Sequence, residues 1–223
     1  SDFARDKKLT SDMLSAGMTM ATMNSIFSIG SIIMQGAINA LGETIIAAHL
    51  ASRKLAEMFM QPLVTVGLAC STFVSQNFGA KKYDRISKAI RYSLIYCAVW
   101  SVISFFILWF LGAKATVLIT GTGNAEVVRN TAMYLRINAP FYFVLGILFV
   151  LRFSIQSINR KIPPLISSAM ELGTKIAAAF VFIPMWKYTG ACIAEPLSWC
   201  MGAIYLSVVF ASEMKKINQK SKA

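Results

Sequence analysis

Three runs of this sequence, 18–41, 58–78 and 92–113, contain no Asp, Glu, Lys, Arg or His. A bilayer core is crossed by about 20 consecutive apolar residues in a helix, and each run is long enough to do so. Within hydrocarbon every backbone group must find its partner in the same segment, which for runs of this length means helix. Three further apolar runs carry isolated charges: 133–157 with Arg136 and Arg152, 164–186 with Glu171 and Lys175, and 190–212 with Glu195. Six spans in 223 residues leave no room for a separate soluble domain. The expected fold is therefore an all-α membrane protein, six transmembrane helices forming one bundle. Its expected parts are a cytoplasmic linker over 1–15, a six-helix lobe over 16–212 and a basic cytoplasmic tail over 213–223.

The chain is 56% hydrophobic, only 14% charged and formally +12. A basic balance also suits a nucleic-acid binder, so the position of the charge decides. Of the 22 Lys and Arg, 14 fall on one side of the six spans: the N-terminal segment (Arg5, Lys7, Lys8), the loop with Lys81, Lys82, Arg85, Lys88 and Arg91, the pair Arg160 and Lys161, and the C-terminal segment. Five (Arg53, Lys54, Lys114, Arg129 and Lys187) fall on the other, and Arg136, Arg152 and Lys175 lie within spans. Positive residues stay on the cytoplasmic face, which places both termini inside. The run KKYDRISKAIR becomes a cytoplasmic loop, and Ile86 and Ile90 suggest a short amphipathic helix at the interface, near anionic headgroups. Membrane lipid is thus an expected partner and nucleic acid is not. No cleavable leader is expected, because the first apolar run is too long for one and no small-residue cleavage site follows it. The opening SDFARDKKLTSD looks like a linker rather than a translation start.

The first span carries Asn24, Ser28, Ser31, Gln35 and Asn39, spaced by four, three, four and four residues, hence one narrow helical face. Two accounts stay open: hydrogen bonds between helices, or the wall of a polar cavity. Before the second span, His49, Arg53, Glu57 and Gln61 follow at i, i+4, and Arg53 can pair with Glu57 along a solvated face. His49 could carry a proton or only hydrogen-bond. Pro62 is expected to interrupt that helix, and Asn138-Ala139-Pro140 the fourth. Arg152 is expected to snorkel to the cytoplasmic surface. Glu171 precedes Lys175 by four, the favourable order for an ion pair, and this pair is expected to be structural. Glu195, near the outer end of its span, is expected to reach the interface. The four cysteines, Cys70, Cys97, Cys192 and Cys200, all lie in apolar runs without metal-ligand spacing and are expected to pack as small apolar residues. No metal site, cofactor or catalytic constellation emerges, so the chain is expected not to be an enzyme.

Several stretches resemble the C-terminal half of bacterial multidrug and toxic compound extrusion (MATE) transporters: GMTMATMNSIFSIGSIIMQGAINALG, IAAHLASRKLAEMFMQPLVTVGLACSTFVSQNFGAKKYDRI, LRINAPFYF, ELGTK and AEPLSW. The resemblance covers nearly the whole chain, with VSQNFGAKKYDRI its most specific part. It implies two six-helix bundles around a central cleft, of which this chain is one, in the bacterial inner membrane as a multi-pass protein. It also implies an antiporter that exports organic cations and other drugs against protons or sodium ions, with the N-terminal six-helix lobe supplied in cis or in trans. On that basis Met23, Asn24, Phe27, Met34, Gln35 and Asn39, with Gln61 beside Pro62, would form one wall of the substrate cleft. Two departures matter. The N-terminal bundle is missing, which leaves a fragment, one half of a split transporter or half of a homodimer. One branch of the family carries a coupling carboxylate in the first span of this bundle, where this sequence has Phe27-Ser28 and no acid from Leu14 to Gly42. The similarity is therefore to the DNA-damage-inducible branch, whose coupling acid belongs to the other bundle. Two alternatives remain: a flippase for lipid-linked sugars, disfavoured because Arg53, Arg136, Arg152 and Lys175 are dispersed in height, and a non-transporting membrane module that binds through its basic loops.

Overall fold

The computed structural model describes residues 7–121 and 123–222. Residues 1–6 of the expected linker, Arg5 among them, lie outside the described residues. The described chain is helical, in eight α-helices: α1 (Lys7–Asn39), α2 (Glu43–Gly79), α3 (Tyr83–Thr120), α4 (Ala125–Asn138), α5 (Tyr142–Ser157), α6 (Ile162–Ala177), α7 (Ile183–Trp186) and α8 (Tyr188–Lys222). A 3₁₀ turn, Ala139–Phe141, joins α4 to α5, and a π turn, Ala178–Phe182, joins α6 to α7. Grouped by continuity they make six helices long and apolar enough to cross a membrane, the expected number. Helix occupies both expected flanks: residues 7–15 belong to α1, and α8 runs through the tail to Lys222.

The spans differ in how much lipid they would meet. The α4–α5 span is the most enclosed, whereas α3 is largely open, with Tyr96, Phe106, Phe110 and Leu118 turned outwards. In water such a surface would be an aggregation site; against acyl chains it is ordinary. Close approach of helices is bought with small residues. A Cβ on Gly67 of α2 would stand 3.1 Å from the backbone carbon of Phe149 in α5, and one on Gly146 of α5 would stand 2.7 Å from Cys97 Cβ of α3. Cys70, Cys97 and Cys192 are buried free thiols, and Cys200 is a half-buried one.

Three local expectations change. α2 passes through Pro62 as one continuous helix, because only the hydrogen bond at that ring is forfeited and packing on both sides holds the rest. The basic loop does not form a separate interfacial helix. The turn closes at residues 80–82, where Lys81 takes a positive φ of 56°, and α3 starts at Tyr83. Ile86 and Ile90 are buried in the bundle rather than laid on a membrane surface, since no helix breaker separates them from the span that follows. The third change concerns the fourth span, which is interrupted as expected but anchored in an unexpected way. Beside the Pro140 turn, the Asn138 side chain donates to Tyr134 O within its own helix and to Cys192 O of α8 at 3.2 Å. The loop 158–161 touches two other segments: Lys161 Nζ donates to Ser15 Oγ at 2.8 Å, and Arg160 pairs with Glu213 at 2.9 Å. The start of the first span, the end of the sixth and the loop after the fourth thus share one end of the bundle.

Candidate functional site

An ionised group in a span must find a partner inside the bundle or water in a cavity. Here the ions of four elements find one another. Arg53 of α2 spreads its guanidinium between Glu57, one turn on at 3.0 Å, and Glu195 of α8 at 3.2 Å. Lys175, near the middle of the 25-residue span Ile162–Trp186, brings its ammonium to 3.7 Å from the same Glu195 oxygen. Arg152 of α5 pairs with Glu171 of α6 and donates to Ser167 Oγ at 2.9 Å. Three cations and three carboxylates therefore balance, in one alternating run, Glu57–Arg53–Glu195–Lys175, and one pair, Arg152–Glu171. Their burial is graded: the Lys175 side chain is 3% exposed and Glu57 61%, so the cluster is dry at one end and wet at the other.

Small residues make the room for it. A Cβ on Gly30 of α1 would stand 2.9 Å from Lys175 Cδ, and one on Gly202 of α8 would stand 2.9 Å from Ser167 Oγ. Glycine at these positions lets α1 and α8 approach α6 while long polar side chains pass between them.

The expected structural pair Glu171–Lys175 is not what forms. The two lie on one face of α6, but Arg152 claims the first and Glu195 the second, because packing brings those partners closer than one helical turn does. Arg152 does not snorkel: it is buried, 8% exposed. Glu195 does not reach the interface either; it is the hub of the cluster and equally buried. Arg53 does pair with Glu57 as expected, yet its other arm is turned inwards. His49 is buried behind the cluster, its Nδ1 3.5 Å from Tyr188 OH, with the Tyr134 and Tyr188 rings standing edge-on to it.

Two cavities flank these ions. The larger, of about 590 Å³, lies among α1, α2, α5, α6 and α8. Met23, Asn24, Phe27 and Gln61 line it, four of the seven expected wall residues, together with Trp199 and all six ions. The smaller, of about 320 Å³, is lined by Met34 and Gln35, by Ser31 and His49, and again by Arg53, Glu57, Lys175 and Glu195. The polar stripe of α1 is therefore divided between two spaces. Asn39 borders neither; its Oδ1 accepts from Gln35 Nε2 at 2.8 Å, so the lower stripe is bonded to itself. Arg53, Arg152 and Lys175, expected to be dispersed in height, line one cavity, while Arg136 stands apart over the Trp109 ring. What the sequence reading missed is the convergence of Arg53, Arg152, Lys175 and Glu195. The available signal was each ion's presence in an apolar run, which demands a partner without saying which. Among the described residues no group of three or more His, Cys, Asp or Glu is placed to hold a metal ion.

A family model described as MatE matches residues 19–181. The "Probable multidrug resistance protein YoeA" of Bacillus subtilis (strain 168) is 29% identical over 86 residues, 39% of this chain and 19% of that protein. Among solved structures, one described as MATE in the bent conformation superposes with a TM-score of 0.86 at 14% identity, covering 100% of this chain and 49% of the other. The inward-facing conformation of a multidrug resistance MATE family transporter of the MOP superfamily gives 0.81 at 15%, covering 99% and 51%. A Pyrococcus furiosus MOP superfamily transporter, described as having a binding pocket of reversed polarity that suggests a different function, gives 0.79 at 16%, covering 88% and 43%. At such identities the likeness is one of fold. The chain spans about half the length of the solved transporters it matches.

Proposed function

The chain belongs to the MatE family, and on that premise we propose that it is one lobe of an antiporter that exports organic cations and other amphipathic drugs. The other lobe, six helices N-terminal in kind, is supplied in cis or in trans, and the drive is an inward flow of protons or sodium ions. The lobe sits in a bacterial inner membrane with both termini in the cytoplasm, as the distribution of Lys and Arg argues.

The observation that carries this reading is the 590 Å³ cavity at the level of the charge cluster. It falls in the range that holds a drug-sized ligand, and it combines apolar and aromatic walls with a few converging polar groups. Phe27 and Trp199 offer ring faces, Met23 and Met60 a surface that adapts its shape, and Glu57 and Glu195 charge opposite to an organic cation. Asn24 and Gln61 add hydrogen-bonding direction. A flippase for lipid-linked sugars gains support from the three gathered cations but loses it to the three carboxylates between them: a diphosphate would meet a balanced wall. A groove between α2 and α3, with Arg85 and Lys88 at one end and Phe73 and Tyr96 further along, fits contact with an anionic lipid. The lack of an acid on the first span keeps the sequence similarity with the DNA-damage-inducible branch.

The test is ethidium accumulation in an efflux-deficient bacterium expressing this lobe together with an N-terminal MatE lobe. Accumulation is expected to fall only when both lobes are present. It should climb back several-fold when Val64→Trp fills the cavity or when Asn24→Leu and Gln61→Leu strip its polar groups. Full efflux with the cavity filled would show that substrate passes elsewhere.

A further inference from the structure

A cation that leaves water is stabilised by an aromatic face, by a carboxylate and by hydrogen-bond acceptors. Phe27 and Glu195 offer the first two in the larger cavity, and both are already engaged by the protein's own cation. Lys175 Nζ lies 4.1 Å from the centroid of the Phe27 ring and 3.7 Å from Glu195 Oε1. The residue is 2% exposed, yet its ammonium, with three donors, has no hydrogen-bond partner among the described residues. Its hold is thus one ring face and one long ion pair.

The surroundings let it leave. Glu195 keeps Arg53 at 3.2 Å when the ammonium withdraws, so no carboxylate is stranded. Gly30 leaves the lysine stem free of a Cβ on the side of α1. Lys175 lines both cavities, and the smaller one carries Glu57 and Gln35, acceptors to which a withdrawn ammonium can turn.

We propose that Lys175 is a tethered occupant of the cation subsite of this lobe, and that an organic cation binds by displacing its ammonium from Phe27 and Glu195. This rests on the reading of the cavity as a drug site and names how that site recognises charge. The lysine acts as an internal competitor, which holds cation affinity low enough for release. It also selects lipophilic cations, whose apolar bodies gain from Met23, Phe149 and Trp199 what an ammonium on a lysine stem does not. Without the lysine charge the cavity holds three carboxylates against two guanidiniums, and a bound cation restores the balance.

The test is binding of tetraphenylphosphonium to this chain co-purified with an N-terminal MatE lobe in nanodiscs, by calorimetry. Lys175→Met is expected to bind it roughly tenfold more tightly than the unaltered chain, the size of a desolvated cation–π contact regained. The gain should vanish in Lys175→Met with Phe27→Leu, and Lys187→Met should change nothing. If Lys175→Met does not fold, judged by helicity and melting temperature, Lys175→Gln must give the same tightening. Equal or weaker binding by the neutral variant, or a gain that survives loss of the Phe27 ring, overturns the proposal and leaves the drug cavity standing. No binding by any form overturns both.

Discussion

Arg152 and Glu171 show what a buried pair of ions means at the scale of single residues. Each side chain is 10% exposed, so each has lost nearly all its water and depends on the other. Removing one leaves an uncompensated charge in a dry site, whereas removing both replaces ions by packing. Arg152→Met is therefore expected to destabilise the lobe by about 3–5 kcal/mol. The double change Arg152→Met with Glu171→Met should recover most of that, as read by denaturant unfolding in detergent. Equal loss in the single and double variants would mean that the pair is not what holds α5 to α6. These two residues also show a limit of local reasoning. Spacing correctly put Glu171 and Lys175 on one face, but partners at i, i+4 compete with partners on other helices, and here the others won.

Among elements, the contact of α2 with α5 is set by what is absent at Gly67. A methyl group there would lie 3.1 and 3.2 Å from the carbonyl carbon and oxygen of Phe149, atoms of a backbone that cannot rotate away, and 2.9 Å from the Phe153 ring. Gly67→Ala is expected to force the helices apart at a cost of about 1–3 kcal/mol. Gly36→Ala, where nothing lies within 4 Å, should be neutral or slightly stabilising. Melting temperatures of the two variants in one detergent check this, and a similar shift in both would rule out the packing account. The turn at Pro140 and the π turn before Pro184 follow from a different local rule. Proline withholds a backbone donor, and the chain answers by tightening or widening one turn. At Pro62 the same chemistry leaves the helix continuous, because a long span packed on both sides absorbs the lost bond.

For the whole molecule the least enclosed span is the first, α1, which exposes Phe27, Ile29 and Ile32 along with Asn24 and Ser28. It packs mainly on α6, and a mixed polar and apolar exposed face fits a cleft wall better than it fits lipid alone. The contacts of Lys161 with Ser15 and of Arg160 with Glu213 gather the start of α1, the loop after α5 and the last part of α8 at one end of the bundle, as six crossings require. A green fluorescent protein fused after Ala223 is accordingly expected to fluoresce, and a periplasm-dependent phosphatase fused there to stay inactive. Phosphatase activity at that end would reverse the orientation.

The sequence by itself determined the family and the number of helices long and apolar enough to cross a membrane, although the helices over 43–79, 83–119 and 125–157 start 8 to 15 residues before the apolar runs that marked them. That number depends on the solvent a segment can enter, a property summed along the chain, and residues 18–41, 58–78 and 92–113 state it without ambiguity. It also marked the polar face of α1 and singled out Met23, Asn24, Phe27 and Gln61, which line the larger cavity. Only the tertiary structure decided which ions meet. Arg53 and Glu195 are 142 residues apart in the chain and 3.2 Å apart in space, and nothing local relates them. Helical spacing fixes the direction a side chain leaves its helix, but its partner is set by how helices pack. That packing turns on glycines such as Gly30, Gly67 and Gly202, whose importance lies in the neighbours they admit.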